Sequence, residues 1–223
     1  MADAQEARLV RVLLADDHEV LRRGLRQIIE DQPGWTVCGE AGTGREAVEL
    51  AMQEKPDVAV VDISMPELNG LEATRQIRKA SPRTEVLVFT MHENESLVRE
   101  VLSAGARGYL MKSDAAQHIV AAIEALSKHK PFFTSNVSET LLEGFLRAGT
   151  RTDAGADRET ITPREREIIQ LLAEGHSNKA VAAKLGISVK TAETHRATIM
   201  RKLGASSVVE IVRYAIRNGI AQP

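Results

Sequence analysis

The sequence predicts an α/β fold, a doubly wound sheet of five parallel strands, followed by a small all-α domain. Three observations lead there. Short apolar runs recur through the first 127 residues. Helix-patterned segments separate them, and beyond residue 158 the strand signal is gone. The runs LVRVLLA (9–15), WTVCGE (35–40), VAVVD (58–62), EVLVF (85–89) and RGYLM (107–111) read as strands. VAVV is apolar at every position, as a parallel strand covered on both faces must be. Val20, Leu21, Gly24, Leu25, Ile28 and Ile29 recur at helical spacing, as do Leu97, Val98, Val101 and Leu102, so each set predicts a helix with one buried stripe. Gly105 stands where a left-handed cap would end the second of these helices. Asp114 precedes a third stripe, Ile119, Val120, Ile123 and Leu126, in the position of an N-cap. Strand and helix alternating in this way is the signature of a doubly wound sheet.

Length and composition set the outer limits. The chain has 223 residues, 43% hydrophobic and 27% charged, enough for two modest folded domains. There is no apolar run long enough for a membrane span, and MADAQEARLVR has no apolar stretch before its first arginine. The expectation is a cytoplasmic protein with no membrane partner. The single cysteine, Cys38, excludes an internal disulfide and a thiolate-built metal site. Net charge is −2 overall but divides unevenly, −7 over residues 1–157 and +5 over residues 158–223. An acidic part joined to a basic part suggests two tasks, with the basic part suited to a polyanion.

The domains expected are 1–127, a linker over 128–157, and 158–223. In the linker, Ser135 or Ser138 could cap a short helix through Leu141, Leu142, Phe145 and Leu146. GTRTDAGADRET (149–160) has no large apolar residue and reads as flexible. Thr162-Pro163-Arg164-Glu165 combines an N-cap, a proline at the first helical position and an early acid. Further helices are expected near 178–185, ending before Gly186, from Ser188 to Leu203, and beyond Ser206 and Ser207.

Ligands of open α/β sheets bind beyond the carboxyl ends of the strands. The residues expected there are Asp16, Asp17, Asp62, Thr90 and Lys112. Three carboxylates in one crevice repel one another unless a divalent cation joins them, and an all-oxygen set suits Mg²⁺. A lysine and a hydroxyl beside them would suit a phosphoryl group. Any one of these residues alone is more often a loop cap or a solvated charge; their coincidence at successive strand ends makes the functional reading the stronger one.

The segments LLADDH, VVDISMPELNG, VFTMH and GYLMK resemble the receiver domain of bacterial two-component response regulators over residues 8–127. The resemblance implies that Asp62 accepts a phosphoryl group from a histidine kinase. It implies Mg²⁺ ligation by Asp17, Asp62 and the Ser64 carbonyl, with Asp16 acting through water. Thr90 and Lys112 would bind the phosphoryl oxygens, and Tyr109 would be the switch aromatic. One departure is Ser113, where many receivers have a proline joined by a cis bond.

Along the helix from Ser188 to Leu203, at about 100° per residue, Ala192, Ile199 and Leu203 share one side with His195 at its edge. Lys190, Glu193, Thr194, Ala197 and Arg201 take the opposite side, as a helix entering the major groove requires. ITPRERE followed by LLAEGHSNKAVAAKLGISVKTAETHRATIMRKLG resembles the LuxR-type helix-turn-helix, over 161–218. Together the two resemblances place the chain with the NarL/FixJ-type regulators. They imply that Glu193, Thr194 and Ala197 face bases, and that Lys179, Lys190, Thr191, His195, Arg196, Arg201 and Lys202 meet phosphates of promoter DNA. Ala192 stands where the family has a larger branched residue, which implies looser packing there.

The last helix carries a stripe of Val208, Ile211, Val212 and Ala215, which Val209 and Ile216 widen to about 160°. The excess favours a homodimer through Val209, Val212 and Ile216; the alternative is packing of that surface on the first domain. The expected partners are a sensor histidine kinase, double-stranded DNA and a second copy, with RNA polymerase a further candidate. An aspartyl-phosphate phosphatase also starts from an acidic strand end, but it needs a second carboxylate where this chain has Ser64, so no enzyme activity is expected. A constitutive DNA binder with an inert first domain is disfavoured by the intact acidic set.

Overall fold

The computed structural model describes residues 9–91, 95–134 and 161–221; the expected linker helix and the 149–160 stretch lie outside the described residues. Strands β1 (Val10–Ala15), β2 (Trp35–Ala41), β3 (Val58–Asp62), β4 (Glu85–Thr90), β5 (Gly108–Met111) and β6 (Phe132–Phe133) form one sheet in the order β2-β1-β3-β4-β5-β6. All pairings are parallel. Helices α1 (Glu19–Glu30), α2 (Gly44–Glu54), α3 (Gly70–Ala80), α4 (Glu95–Ser103) and α5 (Ala115–Ser127) cover its faces.

Strand alternation decides which helix each residue meets. Val58 and Val60 of β3 join a core with Leu25 and Ile29 of α1 and Ile119, Ile123 and Leu126 of α5. Ala59 and Val61 join the opposite core with Ala47 and Ala51 of α2, Ile77 of α3 and Val98 and Val101 of α4. β3 is buried along its whole length.

Four local expectations change. The sheet has a sixth strand because Phe132 and Phe133, partly buried on opposite faces, extend its edge beside Gly108 and Tyr109. Val20 is 85% exposed rather than part of the α1 stripe; it lies about 140° round the helix from Leu25. Gly24 is exposed for the same reason. Asp114 occupies the N-cap position of α5 but makes no capping bond; its carboxylate accepts the Ser113 hydroxyl instead. Gly105 does adopt the left-handed conformation, and the Ala106 N–H closes the turn on the Val101 carbonyl.

The second unit comprises α6 (Pro163–Ala173), α7 (Asn178–Leu185), α8 (Val189–Leu203) and α9 (Val208–Arg217). The first three starts are capped by side chains, while Ser207 before α9 makes no capping bond. Thr162 and Glu165 form a reciprocal capping box, while the Ser177 and Ser188 side chains accept the Ala180 and Thr191 N–H groups. Gly186 and Gly204 end α7 and α8 in the left-handed conformation. Ile168, Ile169, Val181, Ala192, Ile199, Ile211 and Ala215 form the shared core.

The start of α3 is pressed against the end of β3: a Cβ on Gly70 would lie 1.9 Å from the Asp62 carbonyl oxygen. Gly70→Ala should therefore destabilise the first domain by about 3 kcal/mol or more in urea unfolding. Gly24→Ala, with nothing within 4 Å of its Cβ, should stabilise α1 by about 0.5–1 kcal/mol in the same measurement.

Candidate functional site

Parallel strands that all end at one edge bring their terminal residues together. Asp16 follows β1, Asp62 ends β3, Thr90 ends β4 and Lys112 follows β5. β1 and β3 are neighbours although α1, β2 and α2 separate them in sequence, so the strand order reverses there and opens the crevice. Asp16 and Asp62 are each 2% exposed, and Thr90 is fully buried. Ligand atoms of Asp16, Asp17, His18 and Asp62 all lie within 4.8 Å of one another.

Lys112 neutralises the buried pair. Its Nζ lies 2.8 Å from Asp16 Oδ2 and 3.0 Å from Asp62 Oδ2, with the Phe89 ring centroid 5.8 Å away. Burial pushes the Asp62 carboxyl above the usual aspartate range; Lys112 pulls it back and the neighbouring Asp16 pushes it up again. Burial acts to lower the Lys112 ammonium, but its hydrogen bond to Asp16 and the field of Asp62 outweigh that and raise it. The backbone at Ser64 also works to lower the Asp62 carboxyl. The peptide bond between Lys112 and Ser113 is trans, and the chain runs on through a short 3-10 turn into α5.

His18 is a member of this cluster that the sequence reasoning missed. Its Nδ1 lies 2.7 Å from Asp17 Oδ1 and 3.1 Å from Asp16 Oδ1, and its backbone N–H donates to Asp16 Oδ1 at 2.9 Å. The only sequence signal was its place in LLADDH, directly after the two aspartates. A cluster of hard oxygen donors with buried oxygens on Asp16 and Asp62 facing one lysine fits a divalent cation such as Mg²⁺. Tyr109 is fully buried, its ring in the core beneath α2, α3 and α4, its hydroxyl 3.9 Å from Met111 Sδ.

In the second unit, α7, the Gly186–Ser188 turn and α8 form a helix-turn-helix. Ala192 and Ile199 are buried, while Lys190, Thr191, Glu193, Thr194, Ala197 and Arg201 are exposed together. Lys179 is exposed on α7, and His195 and Arg196 are half-buried at the edge of the exposed face. Lys202 departs from the expectation of a phosphate contact. Its side chain is 14% exposed and its Nζ lies 2.9 Å from Glu165 Oε2, so its charge is committed to joining α8 to the start of α6. Burial works against the Glu165 carboxylate, but the Thr162 N–H and the Lys202 ammonium outweigh it and hold the carboxyl below the usual range. On α9, Val209 is 59% exposed and Val212 half-buried. Ile216 lines a groove of about 720 Å³ that also includes Asp17, Ser64 and Leu97, so part of the excess apolar surface faces the first domain.

Comparison with known proteins matches both halves. The response regulator receiver domain family covers residues 12–124, and the bacterial regulatory protein luxR family covers residues 159–215. The transcriptional regulatory protein YxjL of Bacillus subtilis is 38% identical over 96% of this chain and 98% of its own length. LiaR of the same organism is 39% identical over 94% and 98%. RcsB of Salmonella enterica serovar Typhimurium, solved bound to promoter rprA in the presence of the phosphomimetic BeF3−, is 27% identical. That match covers 92% of this chain and 97% of RcsB, with a TM-score of 0.58. The chain belongs to the two-component response regulators of the NarL/FixJ type, in which a receiver domain is joined to a LuxR-type DNA-binding domain.

Proposed function

We propose that this response regulator is switched by phosphorylation of Asp62 and reads promoter DNA through α8 as a homodimer. The observation that carries the reading is Asp62 itself: a buried carboxylate at the end of the central strand, flanked by Asp16 and Asp17 and held by Lys112. A carboxylate oxygen of Asp62 attacks the phosphorus of a kinase phosphohistidine. The new P–O bond replaces the P–N bond, and the electron pair returns to the imidazole nitrogen. Asp17, Asp62 and the Ser64 carbonyl would hold Mg²⁺, with Asp16 through a water. The bound ion would supply charge neutralisation for the oxygens in transfer.

Lys112 then exchanges part of its contact with Asp16 and Asp62 for a phosphoryl oxygen, and the Thr90 hydroxyl donates to another. Both sit at ends of strands beside Tyr109, so their displacement reaches the surface around α4 and α5. The balance shifts from a closed or monomeric form to one that pairs through α9, with Val209, Val212 and Ile216 at the contact. Two copies of α8 then meet two half-sites. Glu193, Thr194 and Ala197 face the bases; Lys179, Lys190, Thr191, His195, Arg196 and Arg201 surround them toward the phosphates.

With Mg²⁺ and a small-molecule phosphodonor, Asp62→Ala should abolish the phosphoryl adduct seen by intact-mass spectrometry. It should also remove the dependence of DNA affinity on the donor; an equal yield of adduct would refute the assignment. Lys112→Met leaves two buried carboxylates without their cation. It should lower receiver stability by about 3 kcal/mol in urea with EDTA present, with a smaller loss when Mg²⁺ is added. Lys190→Ala should weaken binding to all duplexes alike and reduce the slope of log affinity against log salt by about one. An effect confined to one base position would contradict a phosphate contact.

A further inference from the structure

The DNA-binding domain holds the loop that follows Asp62. That loop, residues 63–69, joins β3 to α3. Gln170 on α6 is 2% exposed, and its side-chain amide is spent on the loop backbone. Its Oε1 accepts the Asn69 N–H at 2.7 Å, and its Nε2 donates to the Met65 carbonyl at 2.9 Å. Glu174, one turn along, accepts both the Glu67 N–H at 3.0 Å and the Gln170 amide at 2.8 Å. Lys184 of α7 lies 2.6 Å from Glu67 Oε1, and Gln76 of α3 donates to Glu167 at 2.8 Å. Glu67 has a φ of 66°, a conformation non-glycine residues seldom adopt, and its N–H is the one turned toward Glu174.

A buried glutamine bonded to two backbone groups about a hundred residues away contributes little to the core of either domain. What it fixes is the loop. Meanwhile the reading face of α8 is exposed, so the contact covers the phosphoacceptor loop and leaves the base-facing residues open. The loop is mechanically continuous with Asp62: the Gly70 N–H donates to the Ile63 carbonyl at 2.9 Å, and Gly70 has no room for a Cβ against the Asp62 carbonyl. The groove between the domains carries Asp17, Glu100 and Glu174 with Arg217, and Arg166 of α6 lies 3.7 Å from Glu100. A doubly negative group added at its Asp62 end makes the docked arrangement less favourable.

We infer that Gln170 is a positioning residue of the phosphoacceptor site, supplied by the DNA-binding domain, and that its clamp on Met65 and Asn69 restrains phosphorylation of Asp62. The inference rests on the reading of Asp62 as the phosphoacceptor. Coupling between two equilibria is reciprocal, so if phosphorylation releases the clamp, the clamp opposes phosphorylation by the same factor.

The test uses the full-length chain with acetyl phosphate and Mg²⁺, comparing wild type with Gln170→Ala and with Glu174→Ala, an exposed position whose loss does not threaten the core. Two quantities are read: the rate of adduct formation on Asp62, and amide hydrogen exchange in the peptide containing Glu67 and Asn69. Gln170→Ala should raise both about tenfold without prior phosphorylation, and Glu174→Ala should raise both severalfold. Wild type should reach the faster exchange once phosphorylated. Wild-type labelling rates in both variants overturn the inference, even where exchange rises, because the contact is then packing alone. No adduct on Asp62 in wild type overturns the phosphoacceptor reading itself, whatever Gln170 does.

Discussion

The interaction on which the rest depends is the bridge from Lys112 to Asp16 and Asp62. Two carboxylates buried at the ends of adjacent strands are costly to bring together, and the cost is met by a cation within 3.0 Å of each. Burying the strands that carry them requires helices on both faces, which only the parallel βαβ arrangement provides. The apolar β3 exists to bring one acidic side chain to the sheet edge, and Gly70 exists to let α3 start against it. The site is thus a charge problem half solved by the protein. In the proposed reading, the unsolved half is what an external cation and a phosphoryl group would complete.

The DNA-binding domain is organised by its helix ends more than by its core. Thr162, Ser177 and Ser188 each accept a backbone N–H, and Glu165 both completes the first cap and receives Lys202. That ion pair fixes α8 against the start of α6. A helix that enters a groove has to present its side chains at a set depth and angle, and the Lys202–Glu165 pair is one of the contacts that hold α8 in place.

Much of this was legible in the sequence because the signals are local. VAVVD announces a strand covered on both faces and ending in an acid; TPRE announces a helix start; glycines after periodic stripes mark where helices stop. The strand-end residues that the pattern grouped, Asp16, Asp17, Asp62, Thr90 and Lys112, do meet at one edge. What escaped depends on geometry or on distant partners. The α2 stripe is Gly44, Ala47 and Ala51, too small to register as apolar periodicity. Val20 sits among apolar neighbours yet points to solvent, because adjacent residues on a helix lie about 100° apart. His18 joins the acidic cluster through a turn that no periodicity describes. Lys202 and Arg201 are alike in sequence, and only the fold sets Lys202 on Glu165. Gln170 was invisible, since its two loop partners, Met65 and Asn69, lie about a hundred residues away.

Ile216 stands where the two domains face each other. It widens the apolar stripe of α9 beyond what one packed face needs, and in this structure it borders the groove facing the receiver, near Asp17 and Ser64. Val209, on the same helix, is open to solvent. A side chain cannot line the receiver groove and the seam with a second copy at the same time. In the proposed dimer, then, docking on the receiver and pairing through α9 compete for one residue. If the proposed dimer pairs through α9, Ile216 is the one residue of that seam that also borders the groove beside the phosphoacceptor loop, so competition at this position needs no signal transmitted through the length of a helix.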